Sequence, residues 1–240
     1  MKTSVFTGVL ALALSATAAP ARACGVSASG VSSCSLAEHL EQTRPHWALG
    51  ASGLYTSTSL RFSGDVHADE TRWAALGAFA WLPSPTLVLQ AGLGVAIDGS
   101  LRLPEGEYDF SPGPIASLGL DWRVWQSGPW FALLTSTLSA SFARTHLAGS
   151  PAESYSAFDL RLGGQLGVEL ARLLQPYALA RVFGGPVFWR RNGEDVTGTD
   201  THHHQLGAGL ALRLGARGNL FVEGVPLGER ALSAGAGLAF

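Results

Sequence analysis

Residues Glu229 to Phe240 read Glu-Arg-Ala-Leu-Ser-Ala-Gly-Ala-Gly-Leu-Ala-Phe. Counted back from Phe240 by twos, Leu238, Ala236, Ala234 and Leu232 form one apolar face. The other parity, Ala239, Gly237, Gly235, Ser233 and Ala231, is small and partly polar. Side chains alternate across a strand with period two, so this is a strand pattern.

The same pattern recurs back to Trp47. It is clearest from Thr86 to Ile97, where Leu87, Leu89, Ala91, Leu93, Val95 and Ile97 oppose Gln90, Gly92, Gly94 and Ala96. A strand of that length spans about 40 Å, and at a barrel tilt of roughly 45° it crosses about 28 Å, close to a bilayer's hydrocarbon thickness. Further strands are predicted at 47–62, 71–82, 113–125, 129–143, 155–171, 176–189, 202–214 and 219–225. The connectors alternate. Polar, longer ones fall at 63–70, 99–112, 144–154 and 190–201, and short ones at 83–85, 126–128, 172–175 and 215–218.

Composition agrees. Hydrophobic residues make up 47% and charged residues 14% of 240, against a usual charged share of about 25%. Mean hydropathy is +0.21. No internal run reaches the roughly 18 apolar residues of a membrane-spanning helix. High apolar content without such a run leaves a buried soluble β protein or a barrel whose outer face meets lipid. The net charge of −2 offers no basic footprint for nucleic acid.

A terminal Phe preceded by alternating apolar residues resembles the closing strand of bacterial outer-membrane β-barrels. In that family these residues act as an assembly signal, which places the signal at Phe240 and Leu238. The resemblance implies an all-β, transmembrane, antiparallel up-and-down barrel of about ten strands over 47–240, located in the outer membrane. Long outside loops and short periplasmic turns are the family's habit, and an even strand count puts both ends in the periplasm. Membrane lipid and the barrel-assembly machinery are the implied partners, and a monomer the implied state.

Residues 1–23 read as a secretory signal peptide: Lys2, an apolar run from Val5 to Ala19, and a small-x-small site at Ala21-Arg22-Ala23. Residues 24–46 form an N-terminal periplasmic segment. Cys24 and Cys34 are the only cysteines, and export favours a disulfide between them. Lipidation of Cys24 is the alternative, although Ala21 stands where an aliphatic residue is wanted. Ser35 and Glu38 fit a capping box, so a short helix is expected over 35–42.

Within the strand cores Asp121, Arg123, Asp159, Arg161, Glu169, Arg181, Arg213 and Glu223 all fall on the parity opposite the apolar face. They are expected to line the lumen and to pair there. Trp47, Trp73, Trp81, Trp125, Trp130, Phe142, Tyr155, Tyr177 and Trp189 cluster near strand ends and suggest two interfacial belts. Trp125, Tyr155, Tyr177 and Trp189 nevertheless have the inner parity.

Chemistry is sparsely signalled. His202 and His204 share a strand face and could hold a metal, with Asp200 or His146 as a third ligand. Asp200-x-His202 resembles the Asp-x-His pair of omptins, the ten-stranded outer-membrane proteases, in which the His would activate water. The paired carboxylates that family also needs are absent. No nucleophile signature of an esterase is visible, and Gly92-x-Gly94 and Gly163-Gly164 precede no helix that could bind phosphate. The expectation is therefore a structural or binding barrel, or a narrow passive pore, without cofactor or enzymatic activity. An enzyme at the extracellular rim and an exported soluble lipid-binding barrel are the alternatives.

Overall fold

The computed structural model describes residues 47–171, 173–215 and 217–240. The expected signal peptide, the cysteine pair and the short helix lie outside the described residues.

Among the described residues thirteen strands form one antiparallel sheet. They are β1 (Trp47–Phe62), β2 (Val66–Ser84), β3 (Leu87–Leu103), β4 (Gly106–Phe110), β5 (Gly113–Ser127), β6 (Trp130–His146) and β7 (Glu153–Val168). They continue as β8 (Leu174–Gly184), β9 (Val187–Arg191), β10 (Glu194–Asp200), β11 (His204–Leu214), β12 (Gly218–Gly228) and β13 (Arg230–Ala239). β1 pairs with β2 on one side and with β13 on the other, so the sheet closes into a ring. Among the described residues, closure leaves no full-length edge strand unpaired.

The count differs from the ten expected because three wall strands are broken. β4 and β5 both lie between β3 and β6, and β8 and β9 both border β7. The breaks at Ser111-Pro112 and Gly185-Pro186 each contain a proline, which cannot donate to the ladder. The third break, residues 201–203, lies across from Gly184 and Gly185 and separates β10 from β11.

The long polar loops are a second correction. Most of those residues are strand, extending the wall past the apolar band and ending in tight turns. Asn192 and Gly193 both take positive φ, 52° and 83°, as a two-residue type I′ hairpin requires.

The last hairpin is short. Beyond its tip β1 pairs directly with β10, Leu60 opposite Asp200 and Phe62 opposite Gly198. The distal end, away from Trp47 and Phe240, therefore has two strands fewer in its wall.

The outward face carries the apolar residues: Leu49, Leu93, Leu118, Leu134, Leu162 and Leu238 are all exposed. Trp47 stacks on Phe79 and Trp81 at the terminal end. Tyr55–Trp73 and Phe142–Phe158–Phe188 ring the other edge of the band. Past that edge the outward residues turn polar, with Arg61, His67, Asp69, Arg102 and Glu107. The aromatic belts need correcting. Trp125 faces out because the register slips between Arg123 and Trp125. Tyr155, Tyr177 and Trp189 are buried inside and belong to the core.

Leu93 is 74% exposed in the middle of the band. If the band meets hydrocarbon, Leu93→Arg should cost about 2–4 kcal/mol. Unfolding in lipid vesicles should show that loss, whereas Arg102, beyond the band, should tolerate exchange with Leu. Equal effects at the two positions would contradict the assignment of the band.

Candidate functional site: the charged interior

The interior is layered. Near the terminal end Ala48, Ala80, Leu82, Val88 and Ala239 pack together along one wall. Phe131, Leu133, Tyr177, Leu179, Phe221 and Val225 form a second apolar cluster. Inward glycines make room for its rings. A Cβ on Gly209 would lie 2.3 Å from Tyr177, and one on Gly167 2.3 Å from Phe131. At the distal end Leu60, Phe62, Leu101, Tyr108, Tyr155 and Trp189 make an aromatic cap, with Trp189 1% exposed. Tyr108 meets the Trp189 ring edge-on at 4.9 Å, and the Trp189 indole N–H donates to Thr145 Oγ1 at 2.9 Å.

The charges lie among these layers, with Arg123, Glu169 and Arg213 near the terminal end. Arg181 donates to both carboxylate oxygens of Glu223, at 2.7 and 3.0 Å, and the Tyr177 hydroxyl donates to the same carboxylate at 3.1 Å. Gln90 donates to Asp121. Arg123 donates to Gln126 Oε1 at 2.7 Å and to the Pro85 carbonyl. Arg213 approaches Glu169 to 3.7 Å. Arg161 pairs with Asp159 and, at 2.9 Å, with Glu229. All eight lumen charges named from the sequence lie on the inner face, and among the described residues Asp159, Arg161, Glu169, Arg181, Arg213 and Glu223 are members of ion pairs. A charged group taken out of water needs such a partner, because an isolated buried charge is very costly.

The pattern along the chain did not reveal the distal members. Arg72 pairs with Glu70 at 2.9 Å, donates to Ser141 at 2.8 Å, and lies over the Phe110 ring at 4.4 Å. The Tyr155 hydroxyl donates to Glu70. Asp200 accepts from Thr58 at 2.8 Å, and Glu229 accepts from Gln205 at 3.0 Å. Glu70 and Arg72 share the parity opposite Trp73 within β2, which begins at Val66.

Four carboxylates, Glu70, Asp159, Asp200 and Glu229, and two guanidinium groups, Arg72 and Arg161, line a cavity of about 150 Å³ beneath the aromatic cap.

The histidine run sits elsewhere. The His202 and His204 rings are 6.2 Å apart, and His204 takes the outward row of Val182. His203 approaches the Phe183 carbonyl at 3.2 Å. Among the described residues no group of three His, Cys, Asp or Glu is placed to hold a metal. Asp200 turns inward while the break at 201–203 separates it from the His202 ring, which approaches Thr201 instead. The strand geometry assumed for Asp200-x-His202 is therefore not formed. Leu238 faces outward, and the Phe240 N–H donates to the Trp47 carbonyl at 3.1 Å.

No family profile and no curated protein matches this sequence. Solved structures do resemble it. The β domain of the Bordetella autotransporter BrkA is 16% identical, with 80% of this chain and 99% of that one covered and a TM-score of 0.48. The translocator domain of the autotransporter NalP from Neisseria meningitidis is 12% identical, covers 85% and 92%, and scores 0.48. An outer-membrane channel from Pseudomonas putida F1 is 10% identical, covers 82% and 96%, and scores 0.41. The likeness is to bacterial outer-membrane β-barrels in general. It does not single out one family among them.

Proposed function

We propose that this chain is an integral barrel of the bacterial outer membrane, closed to free diffusion and serving a structural or binding role. The observation that carries this reading is the inversion of the fold: apolar side chains face out while paired charges face in. Lipid is the solvent that such a surface suits. On this reading Trp47 and Phe240 lie at the periplasmic end, and the aromatic cap lies at the extracellular end. Phe240 and Leu238 serve the barrel-assembly machinery, and the barrel works as a monomer.

The filled interior favours a plugged barrel over a passive pore. Narrow barrels have just enough interior for side chains, and here rings and ion pairs occupy successive levels. Purified protein added to a planar lipid bilayer should give no steady ohmic conductance. Stable, voltage-independent channel steps would overturn the closed reading and restore the pore.

A further inference from the structure

Ser111 and His146 stand 35 residues apart in the chain, yet the Ser111 hydroxyl and His146 Nε2 are hydrogen-bonded. The register of β4 against β6 brings them together. Asp109 is directly opposite His146, Phe110 is opposite Thr145, and the Ser111 N–H donates to the Arg144 carbonyl at 2.8 Å. Asp109, Arg144 and His146 are exposed on the outer wall, and Ser111 is half-buried beside them.

The pieces have complementary chemistry. With its proton on Nδ1, the imidazole accepts the Ser111 proton at Nε2. Directly opposed residues in a sheet have Cβ atoms about 5 Å apart, so Asp109 is a neighbour suited to favour that tautomer. Arg144, opposite Ser111, adds positive charge where an oxyanion would form. The depth is also informative. Phe142, two residues before Arg144 on the same face, belongs to the aromatic edge of the apolar band. The cluster therefore stands just past that edge, at the level where the ester linkages of a lipid leaflet would lie.

We propose that Ser111, with His146 as general base, is the nucleophile of an esterase acting on acyl esters of lipids packed against the outer wall. This is an activity in addition to the structural or binding role. Ser111 Oγ attacks the ester carbonyl carbon as its proton passes to His146 Nε2. The tetrahedral species collapses, the bond to the alcohol oxygen breaks, and that oxygen takes the proton from Nε2 and leaves as the free alcohol. Water then gives a proton to Nε2 and attacks the acyl-serine. The carboxylic acid departs and the proton returns to Ser111. No redox partner is required.

The test uses the full chain in detergent micelles, its folding verified by heat-modifiable gel migration. The probes are a fluorophosphonate and p-nitrophenyl octanoate. Mass spectrometry should place the phosphonate on Ser111, and Ser111→Ala should abolish labelling and lower hydrolysis at least tenfold. His146→Ala should lower the rate on the order of a hundredfold or more, with partial recovery in added imidazole. Absence of labelling in folded wild-type protein, or Ser111→Ala hydrolysing as fast as wild type, overturns the proposal.

Discussion

Replacing Glu223 with alanine is expected to cost about 3–5 kcal/mol of stability, because it leaves the Arg181 charge buried without its partner. Both side chains are nearly inaccessible, at 7% and 5%, so water cannot take over the lost bonds. The bond from the Tyr177 hydroxyl to this carboxylate is lost at the same time. Glu223→Gln retains the shape but not the charge and should cost less, about 1.5–3 kcal/mol. The double change Arg181→Leu with Glu223→Leu should return much of the loss, since an apolar pair of similar volume is often as stable as a buried ion pair. Urea unfolding followed by tryptophan fluorescence orders these variants. A Glu223→Ala protein within about 1 kcal/mol of wild type would show that the bidentate pair is not isolated from water as its burial implies.

The second large effect is expected at Gly228, which turns the last hairpin. Its φ is +84°, and a Cβ placed there would lie 1.6 Å from the His204 carbonyl oxygen. Left-handed backbone alone costs an L-residue about 1–2 kcal/mol. The collision adds to this, because the obstacle is the backbone of β11 and cannot rotate away. Gly228→Val should displace the tip and pull Glu229 from Arg161 and Gln205, now 2.9 and 3.0 Å away. Little heat-modifiable, folded barrel should form. Gly193 supplies the control: its φ is +83°, but a Cβ there would have nothing within 4 Å. Gly193→Val should therefore show only the backbone cost. If the two variants assembled equally well, the close packing of the tip against β11 would be refuted.

The sequence showed the wall best where one face is purely apolar. From Leu87 to Ile97 a single parity decides which side faces outward, and the exposed Leu93 follows it. Past the band both faces carry polar groups, as at Asp69 and Arg102, so hydrophobic alternation disappears although hydrogen bonding continues. That is why β4 and β10 read as loops. Asn192-Gly193 was a usable hairpin signal within one of them. Trp125 was not legible, since a single slipped residue reverses parity without leaving a mark in the pattern. The Ser111–His146 pair was equally hidden, because only the register of two strands creates it.

The shortened last hairpin has a consequence for the lumen's width. Neighbouring strands are about 4.8 Å apart, so losing two of them removes about 10 Å of circumference. Spread around a closed ring, that is about 3 Å of diameter, close to the thickness of one aromatic ring. A mouth reduced by this amount needs one fewer layer of side chain to fill it. Tyr108 on β4 and Trp189 on β9 can thus meet across an opening that a cylinder of constant bore would hold too far apart.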